Sequence, residues 1–223
     1  MTIAIDVCAG LRRLGHHGRM STFDERAQDW DTPERSERAQ AAAQVIRQHI
    51  PLAPSMRAID LGAGTGLLGL ALAPDVGEVV LAEPSPGMLE VARQKLRAQG
   101  PANVTAVELD LPGPPPAGAP FDLAVSLLVL HHVADTEAAL RSIHALLVPG
   151  GHIALLDLDK EDGSFHDADA EGIHHEGFEQ AALRRLAESV GFLDVRTGVA
   201  MEIEKDGRPY PLFLLTARTA PQG

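Results

Sequence analysis

Between Arg57 and Leu158 the chain alternates short aliphatic runs with helical stretches, and no other feature restricts its folding choices as strongly. Ala58-Ile59-Asp60-Leu61 reads as a buried strand, followed by a glycine turn and a helix through Leu67, Leu70 and Leu72. Val79 to Glu83 is a second strand, and Ser85-Pro86 opens a helix whose Leu89, Ala92 and Leu96 share a face. Val104 to Leu109 is a third strand. Phe121 to Ser126 is a fourth, and Asp135-Thr136-Glu137 then begins a helix that turns Leu140, Ile143 and Leu147 inward. Pro149-Gly150-Gly151 is expected as a turn into a fifth strand, His152 to Leu158. Such a rhythm predicts a doubly wound, mainly parallel α/β sheet. The segment Pro112 to Pro120 holds five prolines and two glycines, so a loop is expected there in place of a crossover helix.

Beyond Phe178 the pattern changes. A helix through Ala182 and Leu186 ends near Gly191, and two β runs, Val195 to Ile203 and Tyr210 to Thr216, are joined across Asp206-Gly207, a hairpin signal. The sheet is therefore expected to finish with an antiparallel pair. Ahead of the alternating region, Thr22 to Trp30 reads as a short helical segment, and Thr32-Pro33-Glu34 as the capped start of a helix running to about His49. Residues 1–19 show no period and are expected to be a poorly ordered extension; residues 20–223 are expected as one domain, with 20–50 a helical cover and 57–218 the α/β core.

Composition narrows the function. A net charge of −12 disfavours nucleic-acid binding, which depends on cationic surface. One cysteine, Cys8, closes no internal disulfide, and neither an export signal nor an apolar span of membrane length is apparent, so a reducing cytoplasm is the expected location.

The main chemical signal is Asp60-Leu61-Gly62-Ala63-Gly64-Thr65-Gly66, placed between strand and helix at the sheet edge where such folds bind ligands. Glycines at these positions let the backbone turn tightly and approach a ligand. A dinucleotide site takes G-x-G-x-x-G, whereas this loop has G-x-G-x-G, which weakens a nicotinamide reading. Glu83, 21 residues beyond Gly62, is placed to accept from ribose hydroxyls. Asp110 suits an adenine amino group, with the Leu111 amide serving a ring nitrogen. Asp60, Glu83 and Asp110 thus follow three successive strands as an adenosine-shaped set.

Taken in order, Asp60 to Gly66, Val79 to Met88 (VVLAEPSPGM), Asp110, Phe121 to Asp135 (FDLAVSLLVLHHVAD) and Leu147 to Leu155 (LVPGGHIAL) resemble the class I S-adenosylmethionine-dependent methyltransferase family, over roughly residues 22 to 218. The resemblance implies a Rossmann-like sheet of seven strands with an antiparallel C-terminal strand and helices on both faces. It also implies S-adenosyl-L-methionine as cofactor and methyl transfer to a small-molecule acceptor. Its site would use Asp60, Gly62, Ala63, Gly64 and Gly66 around the methionine moiety, Glu83 at the ribose, Met88, Asp110 and Leu111 at the adenine, and Ser126 near the methionine ammonium.

For a general base the candidate is His132, with His131 its neighbour; the competing reading is a histidine that packs beneath the site. Trp30, Arg35 and Arg38 stand ahead of the glycine loop, as acceptor or carboxylate contacts or as plain core and solvated face. From Asp157 to Glu176 the chain carries eight acids, one lysine and three histidines. That stretch is a solvated lid, a pocket for a cationic acceptor using Asp159 and His175, or a metal site assembled from Asp157, Asp159 and His175; its spacing matches no specific metal motif, and no metal is expected. Ser126-Leu127-Leu128-Val129 lacks the acidic or amide, Pro-Pro, aromatic tetrad of enzymes that methylate planar amines. The alternatives are an NAD(P)-dependent oxidoreductase, which lacks a Tyr-x-x-x-Lys pair because the sole tyrosine is Tyr210, and a non-catalytic cofactor-binding protein of methyltransferase type.

Overall fold

The computed structural model describes residues 22–167, 170 and 172–222, so the expected extension 1–19 lies outside the described residues. Its centre is a seven-stranded sheet in the order β3-β2-β1-β4-β5-β7-β6. The strands are β1 (Arg57–Leu61), β2 (Glu78–Glu83), β3 (Val104–Glu108), β4 (Phe121–Leu127), β5 (Leu147–Leu158), β6 (Leu193–Lys205) and β7 (Arg208–Arg218). Neighbouring pairs from β3 to β5 are parallel; β7 runs antiparallel to both β5 and β6. The Asp206-Gly207 hairpin therefore produces the expected antiparallel edge.

Side chains of β2 alternate between the two faces of the sheet, as a strand buried on both sides requires. Val79 and Leu81 pack with Ala42, Ala43 and Ile46 of α2 (Pro33–His49), Leu68 and Leu72 of α3 (Leu67–Leu72) and Ala92 of α4 (Pro86–Gln99). Val80 and Ala82 face the opposite core, built with Leu140 and Ile143 of α5 (Thr136–Ala145) and Leu183 and Ala187 of α6 (Gln180–Val190). Between β3 and β4 no helix intervenes, consistent with the prolines.

The helix starts follow local capping chemistry. Thr32, Ser85 and Asp135 accept from the backbone N–H groups of Arg35, Met88 and Ala138, which satisfies donors that a helix N-terminus leaves unpaired. α1 (Thr22–Arg26) precedes α2 and continues as a single 3-10 turn to Asp29. One boundary differs from the sequence reading. Pro149-Gly150-Gly151 is not a turn before β5 but lies within it, because Leu147 already pairs with Phe121 and the register shifts before Leu123 meets His152.

β1 and β4 are neighbours although β2 and β3 separate them in the chain, so the connections that leave them diverge and open a crevice at their carboxyl ends. The loops after β1 and β4 touch there: a Cβ at Gly62 would stand 2.6 Å from Val129 Cγ2.

Candidate functional site

A cavity of about 770 Å³ fills this crevice, a size suited to a nucleoside-sized ligand. Trp30, Arg35, Asp60, Gly62, Ala63, Gly64, Glu83, Met88, Asp110 and His132, all singled out from the sequence, line it. Gly66, Leu111, Ser126, Asp159 and His175 do not.

Glu83 ends β2 and is 7% exposed. Its Oε2 accepts from Gly64 N at 2.7 Å and its Oε1 from Ser85 N at 2.9 Å, so two backbone donors from different loops hold the carboxylate still. Burial raises its pKa against the lowering effect of those donors. Asp60, at the end of β1, accepts from Gly69 N at 2.8 Å, and burial pushes its carboxyl up to about 7. Asp110 is exposed at the rim. Met88 is buried under the cavity on the first turn of α4.

The positive φ of Gly64, +58°, explains glycine at that position, since other residues rarely adopt it. Gly66 serves packing: a Cβ there would collide with Leu81 Cδ1 at 2.6 Å. Three of the loop's N–H groups are spent internally, with Ala63 N donating to Ala82 O, Gly64 N to Glu83 and Gly66 N to Ala63 O.

The N-terminal helices close the cavity from above. Asp24 accepts from Ser85 Oγ at 2.6 Å and Gly87 N at 2.8 Å, while Asp31 accepts from Thr65 Oγ1 at 2.5 Å and pairs with Lys95. Arg35 lies over the Trp30 ring, 4.0 Å from its centroid, and donates to Trp30 O. Arg38 lines the same wall and has no hydrogen-bond or ion-pair partner among the described residues; burial holds its pKa below the ordinary arginine range. Neither Asp24 nor Asp31 carries a sequence signal, because each acts across a fold-dependent gap.

A second cavity of about 580 Å³ adjoins the first and shares Phe23, Trp30, Arg35, Arg38, Leu128 and His132 with it. His132 stands between the two. Its Nδ1–H donates to Gly172 O at 2.9 Å, and burial, helped by His131, lowers its pKa to about 4. The imidazole is therefore neutral at physiological pH.

The remaining sequence candidates lie elsewhere. Ser126 is buried, with its Oγ unpartnered among the described residues, and Leu111 packs against the core. Asp159 accepts from Gln180 Nε2 at 2.9 Å and from the Lys160 amide. His175 Nε2 donates to Val133 O at 3.0 Å, and its ring lies against Phe178. These are bonds that pin the loop after β5 rather than contacts to either cavity. Among the described residues no group of three histidine, cysteine or acidic side chains is arranged to hold a metal ion, and no helix is long and apolar enough to cross a membrane.

Comparison with known proteins agrees with the architecture. Residues 59–153 match the family model described as "Methyltransferase domain". The ubiquinone/menaquinone biosynthesis C-methyltransferase UbiE of Shewanella oneidensis is 40% identical over 111 residues, which is 48% of this chain and 44% of that protein. The chain thus matches less than half the length of that curated relative. Among solved structures, a chain from the complex of the Haloferax volcanii Trm112 methyltransferase activator with a methyltransferase superposes with a TM-score of 0.71 at 20% identity, covering 92% of this chain and 100% of that one. A phosphoethanolamine N-methyltransferase 2 of Haemonchus contortus, solved with phosphomonomethylethanolamine and S-adenosylhomocysteine, gives 0.70 at 17% identity, covering 92% of this chain and 61% of that one. With its seven-stranded sheet, its glycine loop at the β1–β4 crevice and the matched segment 59–153, the chain is similar to methyltransferases over that part of its length.

Proposed function

We propose that the chain binds S-adenosylmethionine in the first cavity and catalyses transfer of its methyl group to a small-molecule acceptor. The observation that carries this reading is the fate of the glycine-loop amides. A dinucleotide site leaves loop amides free to meet a pyrophosphate. Here Ala63, Gly64 and Gly66 donate inside the protein, one of them to Glu83. The wall also carries Asp24, Glu83, Glu108 and Asp110 against Arg35 and Arg38, an excess of negative charge that opposes a diphosphate and favours a cationic sulfonium.

In this reading the free lone pairs of Glu83 accept from both ribose hydroxyls, and its two backbone donors pre-orient it. Asp110 and Met88 border the adenine, Gly62, Ala63 and Gly64 approach the methionine moiety with bare backbone, and Arg38 pairs with the methionine carboxylate. When bound, S-adenosylmethionine supplies a methyl group activated by its positively charged sulfur. The protein positions the reactants and excludes water, for which Trp30 and Phe23 form the roof. Residues 20–50 act as a cover over a 57–218 core within one domain, held down through Asp24 and Asp31.

The name of the Shewanella relative supports a small organic acceptor rather than a macromolecule. Calorimetry with S-adenosylmethionine, S-adenosylhomocysteine and NAD tests the assignment. Binding of the first two without NAD is expected; NAD binding alone would overturn it. Release of S-adenosylhomocysteine in the presence of an acceptor separates an enzyme from a non-catalytic binder.

A further inference from the structure

We propose that the second cavity admits a methyl acceptor made of a flat apolar body and an anionic group, and that the guanidinium groups of Arg26 and Arg35 hold that anion. This rests on the assignment of the first cavity to S-adenosylmethionine.

The two cavities differ in the sign of their walls. In a chain whose net charge is −12, the second is bordered by Arg26, Arg35, Arg38 and Lys205, with Asp167 and Glu204 as the acids among its lining residues. Asp167 is already engaged, its Oδ1 accepting from Lys205 Nζ at 2.9 Å, and Glu204 is exposed. Asp157, buried behind the wall, lies 2.7 Å from His131 Nδ1 and accepts from the backbone of Val129 and Leu158, so its charge is turned away from the arginines. Of the acids beside Arg35 itself, Asp31 is tied to Thr65 and Lys95, and Glu34 to the Thr32 cap.

Arg26 ends α1 and Arg35 lies on the first turn of α2, and the two converge on one indole, with Cζ atoms 5.7 Å and 4.0 Å from the centroid of the Trp30 ring. Arg35 spends Nη1 on Trp30 O, which leaves its other N–H groups unspent; Arg26 has no hydrogen-bond or ion-pair partner among the described residues. Burial, and after it repulsion from Arg26, lowers the pKa of Arg35. Two cations gathered at one ring with donors to spare form an arrangement that a bound anion relieves, and the planar fork of a guanidinium matches a carboxylate or a phosphate through paired N–H groups. With Arg38 pairing with the methionine carboxylate, these two arginines are left for the acceptor.

The body of the cavity is apolar, lined by Phe23, Leu128, Phe165, Ile173 and Ile203. Such walls seat a ring and keep water from the charge contact, which strengthens it. His166 borders the same space, and its buried Nε2 has no partner among the described residues, where a polar substituent of the ligand would find one. An anion held here is also drawn towards the sulfonium of the neighbouring cavity.

Calorimetry on the protein saturated with S-adenosylhomocysteine tests the assignment with probes matched in shape: 4-hydroxybenzoate, 4-hydroxyphenyl phosphate, the neutral 4-hydroxybenzamide and the cationic 4-hydroxybenzylamine. One of the anions should bind at least about tenfold more tightly than the amide, the scale of hydrogen bonds to a charged group, and the amine should bind most weakly. Tighter binding of the benzoate assigns a carboxylate acceptor, and tighter binding of the ester a phosphate. Arg26→Gln and Arg35→Gln should each cut the anion-to-amide ratio to below about threefold, whereas Arg26→Lys, which keeps the charge, should retain most of it. The ratio separates lost recognition from lost packing on Trp30, which would weaken amide and anion alike. S-adenosylhomocysteine affinity within about twofold of the wild type reports that each variant is folded. Equal affinity for anions and amide, preference for the amine, binding of none of the probes, or a ratio that survives both glutamine substitutions overturns the proposal. Failure of the wild type to bind S-adenosylhomocysteine overturns instead the reading of the first cavity.

Discussion

Replacing Glu83 by glutamine should weaken S-adenosylhomocysteine binding by about 1.5–3 kcal/mol, the worth of hydrogen bonds to a charged group, or roughly 10- to 150-fold in Kd. The size follows from the carboxylate's geometry. Both oxygens already accept from backbone, Oε2 from Gly64 N and Oε1 from Ser85 N, and the ribose would add to the same two atoms. An amide offers one accepting oxygen, so one backbone N–H must face an NH2 group. The charge that strengthens every bond at the site is lost with it. The unpaired donor also destabilises the fold by about 1–3 kcal/mol, which an unfolding midpoint would register separately. Calorimetry of a variant shown to be folded is the assay. A Kd within twofold of the wild type would refute the ribose role and the reasoning from the pre-oriented carboxylate.

Asp60→Asn tests the buried carboxyl, which is pushed up to about 7 by desolvation. A raised folded pKa means that the folded state holds a proton the unfolded chain has released, so the group's stabilising contribution is complete below about pH 4 and lost as pH rises through 7. The asparagine variant should therefore lose about 2–3 kcal/mol less stability than the wild type between pH 5 and 8; parallel denaturation curves at the two pH values would refute it. Asp31→Ala, which removes the tie from the cover to Thr65 and Lys95, should speed dissociation of S-adenosylhomocysteine several-fold in stopped flow, and an unchanged rate would remove the cover from the site. Gly64→Val, at a φ of +58° that costs a branched residue roughly 1–2 kcal/mol, should remove S-adenosylhomocysteine binding, because its methyls enter the space towards Trp30 Nε1; retained affinity would place the ligand elsewhere.

Much of the fold was legible because its determinants are local. Thr32, Ser85 and Asp135 mark helix starts within three residues of the groups they cap, and the strand alternation needs only neighbouring side chains. The glycine loop and Glu83 were legible as a spaced set. The early start of β5 was not, because Pro149-Gly150-Gly151 reads as a turn unless Phe121 is known to pair with Leu147. The same limit explains Asp159 and His175: their partners, Gln180 and Val133, are 21 and 42 residues away, and the acidic run gave no sign of them. His131 and Asp157, 26 residues apart, meet because β4 and β5 pair in parallel, and nothing in either local sequence marks which of two adjacent histidines turns inward.

A crystal structure grown with S-adenosylhomocysteine is the most direct test of the central claim. The account predicts both ribose hydroxyls on Glu83, the adenine beside Asp110 and Met88, and the thioether sulfur facing the second cavity. A ligand bound outside the β1–β4 crevice, or one whose ribose makes no contact with Glu83, would contradict it.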